Sequence, residues 1–277
     1  MLNEIALSGS YPIDHVRQKL SQLSDENPSM GLRGIRLFTL YPELLMMQIR
    51  AIVEATLEHN LNDPSINVYP DISIPFVSTT HELEALLPVI KNEIMEIHGC
   101  NSMSHDHKSC LLFNVGVILS TPRACLRCSE IAPLISYTCF DTTNITELSY
   151  GISRIDSNKF IWKYQKDKVF NTNPFIRLDE RGVGEQIMSS VKMSRETTDK
   201  IIRTFAVISD DHGNDLKSVE FFNNLDIDII STSPKMIPLT KFLAAKSNII
   251  SLSSKYSDMD WSVSYPYDIW TDNSIYW

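Results

Sequence analysis

The chain has 277 residues, 43% of them apolar and 21% charged, and a formal net charge of −9. That length suits one large domain or two small ones and is enough to bury a sizeable core. The acidic balance, with no Lys/Arg-rich stripe, argues against nucleic acid as a partner. No run of about 18 apolar residues offers a membrane span.

Taken in chain order, helical patterns alternate with short apolar runs, which reads as βαβ units around a parallel sheet. Residues 13–23 have apolar side chains at helical spacing. Residues 33–38 read as a first strand. Residues 42–59 read as a helix with Pro42 at its first position. Residues 71–77 read as a strand. Thr80–His98 reads as a helix, with Thr79 and Thr80 as caps and Glu82 and Glu84 in its first turn. Strands are predicted at 111–119 and 133–140. Residues 156–173 are polar and aromatic without a period and read as a long ordered loop. A helix at 181–194, a strand at 204–209, a helix at 215–224, a strand at 227–232 and a helix at 237–246 complete the set. Most of the strands are continuous apolar runs, as expected when both faces are buried. Residues 1–248 read as the folded unit. Residues 249–277 read as an aromatic tail, with Tyr256, Trp261, Tyr265, Tyr267, Trp270, Tyr276 and Trp277 able to dock on exposed core.

The start Met1-Leu2-Asn3-Glu4 lacks the basic and apolar segments of a secretory signal. The cysteines are Cys100, Cys110, Cys125, Cys128 and Cys139, an odd and sparse set. Reduced thiols in a cytoplasmic protein are the simplest reading. Cys125-Leu126-Arg127-Cys128 has thioredoxin-like spacing, but it follows Pro122 and reads as chance placement on a partly buried helical face. A zinc site there would need a second pair. His98, Cys100, His105, His107 and Cys110 crowd one polar stretch. Their types suit zinc, but their spacing fits no finger, so they read as a solvated loop. Asn144-Ile145-Thr146 is a glycosylation triplet in form only. No Gly-rich loop of the Walker type occurs. An acidic chain exerts no long-range pull on an anion, so a phosphate-bearing ligand would depend on a few local arginines.

Six short motifs, in order, resemble one family. Asn27-Pro28-Ser29-Met30-Gly31-Leu32-Arg33-Gly34-Ile35-Arg36-Leu37 is similar to NPMLGxRGxRL. Tyr41-Pro42-Glu43 with Met47-Gln48-Ile49-Arg50-Ala51-Ile52 is similar to YPE and MQxRAI, and Ile74-Pro75-Phe76-Val77 to IPLV. Asn173-Pro174-Phe175 and Leu178-Asp179-Glu180-Arg181-Gly182-Val183-Gly184 are similar to DPF and LDxxGVG. Ser218-Val219-Glu220-Phe221 and Ser233-Pro234-Lys235-Met236-Ile237-Pro238-Leu239 are similar to SVEF and SPxRVPIA. These are motifs of the phosphoenolpyruvate-binding domain of the pyruvate phosphate dikinases.

The resemblance implies a TIM-type (β/α)8 barrel with its site at the C-terminal ends of the strands. In the family, two strands precede the first motif, each bearing a phosphate-gripping arginine. Here roughly thirty residues precede Arg33 and read as one helix and a turn. The expectation is therefore an incomplete barrel of about six strands, the first two missing. Its open sheet would need a cover: the aromatic tail, self-association, or a partner chain.

The resemblance also assigns roles. Arg33, and Arg154 in Tyr150-Gly151-Ile152-Ser153-Arg154, stand at phosphate-binding positions, and Thr143 at a substrate-binding one. In the family, magnesium bridges substrate oxygens and needs hard carboxylate ligands. Ile118-Leu119-Ser120-Thr121-Pro122-Arg123-Ala124 is similar to MIEIPRA, with Ser120 in place of the metal-binding Glu. Thr142-Thr143-Asn144-Ile145-Thr146-Glu147 is similar to GTNDLTQ, with Asn144 in place of the Asp. Val207-Ile208-Ser209-Asp210-Asp211-His212-Gly213 is similar to GICGEHG, with Ser209 in place of the catalytic Cys. A Ser hydroxyl is a far poorer acid than a thiol of pKa about 8.5. His212 matches a family His and reads as structural. The expectation is a phosphoenolpyruvate- or pyruvate-binding domain without catalysis and without a cofactor. A phosphotransferase subunit completed by another chain, or a metal-independent anion sensor, are the alternatives.

Overall fold

Among the described residues, five parallel strands form one sheet in the sequential order β1 to β5. They are β1 (Asp71–Pro75), β2 (Asn114–Leu119), β3 (Tyr137–Phe140), β4 (Arg203–Ile208) and β5 (Ile230–Ser231). The computed structural model describes residues 8–9, 11–25, 27, 30–63, 65, 68–98, 113–197, 203–208 and 211–256, with backbone alone at 98, 203–208 and 253–256. Every strand pair is parallel, so each connection is a crossover. Right-handed crossovers in sequential order put their helices on one face of the sheet. Among the described strands, β1 and β5 are the two outermost.

The helices are α1 (Ile13–Gln22), α2 (Ile35–Leu40), α3 (Pro42–Asn62), α4 (Thr80–His98), α5 (Pro122–Leu126), α6 (Cys128–Ile131), α7 (Thr142–Tyr150), α8 (Arg154–Ser157), α9 (Ile161–Lys166), α10 (Glu185–Thr197), α11 (Leu216–Asn224) and α12 (Ile237–Tyr256). Alternate strand residues Ile72, Ile74, Val115, Val117, Leu119 and Phe140 face this layer. They pack with Leu45, Ile49 and Val53 of α3, Leu83 and Ile90 of α4, Ile187 and Val191 of α10, and Phe222 of α11. The arginine of the MQxRAI-like motif fixes α3 on α4. Arg50 Nε and Nη2 donate to Oε1 of buried Glu93 at 2.8 and 2.6 Å.

The opposite face carries a separate small cluster of Tyr137, Cys139 and Ile118. The Tyr137 ring lies flat across β2: a Cβ on Gly116 would sit 2.3 Å from its Cδ2. Its hydroxyl meets Ser73 Oγ of β1 at 2.6 Å. One side chain thus spans three strands on the face away from the helices, and only glycine at 116 allows it.

The described residues carry five strands where six were expected, and the difference lies at 33–38. Gly34 takes φ 56°, and the chain then enters α2 rather than a strand. Ile35 and Phe38, three apart, are the buried pair, which is helical spacing. The expected loop at 156–173 begins inside one short helix, α8, and contains another, α9. Ser153 caps α8 by accepting from Asp156 N–H. Phe160 and Tyr164, one turn apart, stack edge to face at 5.4 Å at the start of α9. Glu180–Gly184 forms a turn of π-helix before α10. The last helix runs to Tyr256 rather than 246, through residues assigned to the tail; residues 257–277 lie outside the described set. The Cys-rich stretch 99–112 lies outside it as well. Cys125 and Cys128 fall on two helices broken at Arg127, and both are buried outright rather than partly. Their neighbours are Ser190 and Ser194 on α10: Cys128 Sγ lies 2.8 Å from Ser194 Oγ, and Ser190 Oγ donates to Cys125 O. Burial pushes the Cys125 thiol up to about 12, the opposite of an activated redox pair.

Candidate functional site

Residues that end the strands gather along one rim of the sheet. After β1 comes Phe76, whose φ of 62° is a left-handed conformation rarely taken by a bulky residue. Gly34 abuts it, since a Cβ there would lie 2.4 Å from Pro75 O. This close approach sets the two arginines on either side of Gly34. The guanidinium carbons of Arg33 and Arg36 stand 5.6 and 5.7 Å from the Phe76 ring centroid, within cation–π range. Arg36 also donates to the carbonyls of Met30 and Gly31. Arg33 has no hydrogen bond or ion pair among the described residues, and its Nε is buried without an acceptor.

After β2 comes Ser120, fully buried, with no well-formed hydrogen bond at its hydroxyl. It is still near enough to Asp141 to favour that carboxylate. After β3, Asp141 caps α7 by accepting from Asn144 N–H at 3.1 Å. The Asn144 amide nitrogen donates to its other oxygen. Burial nevertheless pushes the Asp141 carboxyl above the usual range, with Glu147 nearby adding to the effect. Glu147, itself buried, accepts the Arg154 backbone N–H at 2.6 Å. The Arg154 guanidinium pairs with Asp211 beyond β4. Two bonded sets therefore lie side by side on the rim, Asp141 with Asn144, and Glu147 with Arg154 and Asp211, with Ser120 next to the first. Thr143 sits beside them in the first turn of α7, half-buried and bonded. Ser209 lies outside the described residues. A cleft of about 180 Å³ opens between Asn27 and Met30 on one side and Glu147–Ser153 on the other.

Behind this inner rim stands a second set of bonds. His212 is fully buried. Its Nε2 donates to Pro174 O and its Nδ1 accepts from the Thr142 hydroxyl, each at 2.8 Å. Burial holds its pKa below the ordinary value, so the ring is neutral and clamps three segments together. Arg177 binds Asp215 through Nε, at 3.2 Å to both oxygens, and through Nη2 at 3.1 Å. Asp215 caps α11 by accepting from Ser218 N–H, and the Ser218 hydroxyl accepts from Leu178 N–H. The sequence singled out neither Phe76 nor the Arg177–Asp215 pair. Only the Asp-x-x-Ser spacing at the start of α11 hinted at the latter.

The family implied by the motifs uses magnesium, and these residues do not fit one. Mg²⁺ wants free carboxylate oxygens in near-octahedral array. Here the two nearest carboxylates are committed, Asp141 to Asn144 and Glu147 to the Arg154 backbone. Ser120 and Asn144 bring no charge. Among the described residues no three His, Cys, Asp or Glu are grouped to hold a metal.

A parallel α/β sheet in sequential order, with polar and charged groups collected at the strands' C-terminal ends, defines a domain built from consecutive βα units. The comparisons narrow this. Residues 10–249 match the family described as PEP-utilising enzyme, PEP-binding domain, and the chain belongs to that family. It is 32% identical over 244 residues to pyruvate, phosphate dikinase of Clostridium symbiosum, covering 88% of this chain and 27% of the relative. It is 32% identical over 246 residues to the chloroplastic pyruvate, phosphate dikinase of Flaveria pringlei, covering 89% and 25%. The chain thus spans about a quarter of the length of the curated relatives it matches. Among the described residues, no helix is long and apolar enough to cross a membrane.

Proposed function

We propose that this chain is a phosphoenolpyruvate- or pyruvate-binding type of domain that has lost phosphotransfer chemistry and serves as a non-catalytic module. The observation that carries the reading is the state of the inner rim. The positions that carry the family's Glu and Asp are Ser120 and Asn144, and the remaining carboxylates are spent on local hydrogen bonds. Phosphoryl transfer depends on neutralising charge on the transferring group, and these positions offer no anionic ligands for the metal that would do it. The barrel is read as incomplete, with the sheet of described strands ending at β1 and β5 and in need of a cover.

A second reading, a metal-independent anion sensor, is favoured by Arg33. A guanidinium stacked on Phe76 with no ion-pair partner among the described residues keeps its donor fork available for a phosphate or carboxylate. The test is thermal unfolding with phosphoenolpyruvate, with and without a chelator, beside an assay for phosphoenolpyruvate-dependent labelling of protein histidine. The non-catalytic reading expects no labelling. Labelling above background would overturn it and bring forward the phosphotransferase subunit completed by another chain. A melt raised equally with and without chelator, and raised by the same amount in Arg33→Ala, would reject the sensor reading at that residue. Loss of the shift in the variant would support it.

A further inference from the structure

A half-open cavity of about 340 Å³ lies between the end of α7 and the residues from Val169 to Arg181. No residue of the inner rim lines it. Its size suits a single small molecule. One wall is aromatic. The chain leaves α9 through Lys168, at φ 58°. Val169 N–H donates to Tyr164 O at 2.8 Å and Lys168 N–H to Gln165 O at 3.1 Å, which is a Schellman end. This turn brings Phe170 back onto the helix. Its ring centroid lies 5.2 Å from that of Tyr164 and, edge to face, 5.6 Å from that of Tyr150.

The polar wall holds two guanidiniums and two carboxylates, Arg177, Arg181, Asp179 and Glu180. Arg177 spends Nε and Nη2 on Asp215, which fixes its fork. Its Nη1 has no bond among the described residues, and Arg181 has neither a bond nor an ion pair there. Asp179 Oδ2 accepts from the Tyr150 hydroxyl at 2.9 Å. A Cβ on Gly182 would lie 2.4 Å from the same oxygen, so the carboxylate occupies space that glycine leaves. Burial, and then Asp179, push the Tyr150 hydroxyl up to about 12, and it stays a donor. Asp179 Oδ1 and the Glu180 carboxylate have no hydrogen bond among the described residues. Lys217, within charge reach of Glu180, is bonded to Glu220.

A simple anion in this cavity would meet Asp179 and Glu180, and a simple cation would meet Arg177 and Arg181. A molecule that bears both charges satisfies both pairs. The rings of Tyr150 and Phe170 add a surface for a planar apolar body. We propose that the cavity binds a free α-amino acid with an aromatic side chain, its carboxylate at Arg177 and Arg181 and its ammonium at Asp179 and Glu180. The site goes beyond the function proposed above and shares no residue with the inner rim.

The test is thermal unfolding of the full chain with L-phenylalanine, 3-phenylpropionate and phenethylamine, the last two each lacking one charge. L-Phenylalanine at about 20 mM is expected to raise the melting temperature by roughly 3 °C, and the two analogues are expected to leave it in place. The exposed Arg181→Ala is expected to melt as the wild type does and to lose the shift. Equilibrium dialysis with labelled L-phenylalanine reads the same site directly, with binding expected to weaken at least about tenfold in the variant, the loss of one charge-assisted contact. No shift and no retained label, an equal response to 3-phenylpropionate or phenethylamine, or binding undiminished in Arg181→Ala would each overturn the proposal. Phosphoenolpyruvate, with no ammonium and no ring, is expected not to displace the label, and displacement would overturn the separateness of the site. Failure here leaves the rim reading to its own experiment, because the probes and the variant differ.

Discussion

The outer and inner parts of the rim have fared differently. The outer set, His212 with Thr142 and Pro174 and Arg177 with Asp215 and Ser218, is fully satisfied by hydrogen bonds. The inner set pairs a buried hydroxyl at Ser120 with a carboxyl, Asp141, that burial holds above its usual range. The outer groups hold segments together whatever the rim does. On the function proposed above, the inner positions are those where chemistry was lost, and the scaffold outlasts the reaction because the two draw on different atoms.

Five measurements would break or sharpen this contrast. Replacing His212 by Ala should cost the most, about 3–4 kcal/mol in urea unfolding, from a cavity plus stranded partners at Thr142 and Pro174. A loss under 1 kcal/mol would mean the clamp is incidental. Asp215→Ala should cost about 2 kcal/mol, from a lost helix cap and an unpaired Arg177.

The pH dependence has opposite signs in the two sets. The folded His212 has a pKa below its unfolded value of about 6.5. Its contribution is therefore complete above that pH and is lost as pH falls toward the folded value. Wild type should lose stability between pH 7 and 5.5, and His212→Gln should lose less. Asp215, whose burial is outweighed by Arg177 and Ser218, is held below the usual carboxylate value. It stabilises above about pH 3.9 and ceases to do so as pH falls through its folded value. Asp141 runs the other way, favouring the fold at low pH and losing that contribution as pH rises through its raised value. Asp141→Asn should consequently be neutral or slightly stabilising at pH 7, with Asn still able to cap α7. A clear destabilisation would show that this carboxylate does more than cap a helix. The smallest effect on stability should come from Arg33→Ala, within about 1 kcal/mol, which makes it the clean probe of anion binding.

Much of the layout was legible in the sequence, and the failures have physical causes. The helix Thr80–His98 was read to the residue, because caps, first-turn acids and apolar spacing agree there. The parallel strands β1 to β3 announced themselves as apolar runs. Residues 33–38 misled because Ile35, Leu37 and Phe38 satisfy both a strand and a helical period, and only the backbone at Gly34 decides. Phe76 could not be foreseen as left-handed, since nothing in a side chain's type reports its own φ. The His212 clamp joins residues 70 and 38 positions away, which no local pattern encodes. The rim substitutions at Ser120 and Asn144 were visible only against the family's motifs. How their neighbours Asp141 and Glu147 are occupied required coordinates.

The buried thiols give the molecule its own reporters of motion. Cys125 and Cys128 lie in the main core under the helical layer, and Cys139 lies on the other face of the sheet beside Tyr137. All three are inaccessible, and burial pushes each thiol's pKa up. Alkylation at these sites must wait for the structure to open. Labelling rates resolved by mass spectrometry would time the lifting of α5 and α6 from α10 separately from exposure of the sheet's far face. The same chain would thus disclose which side of its sheet yields first.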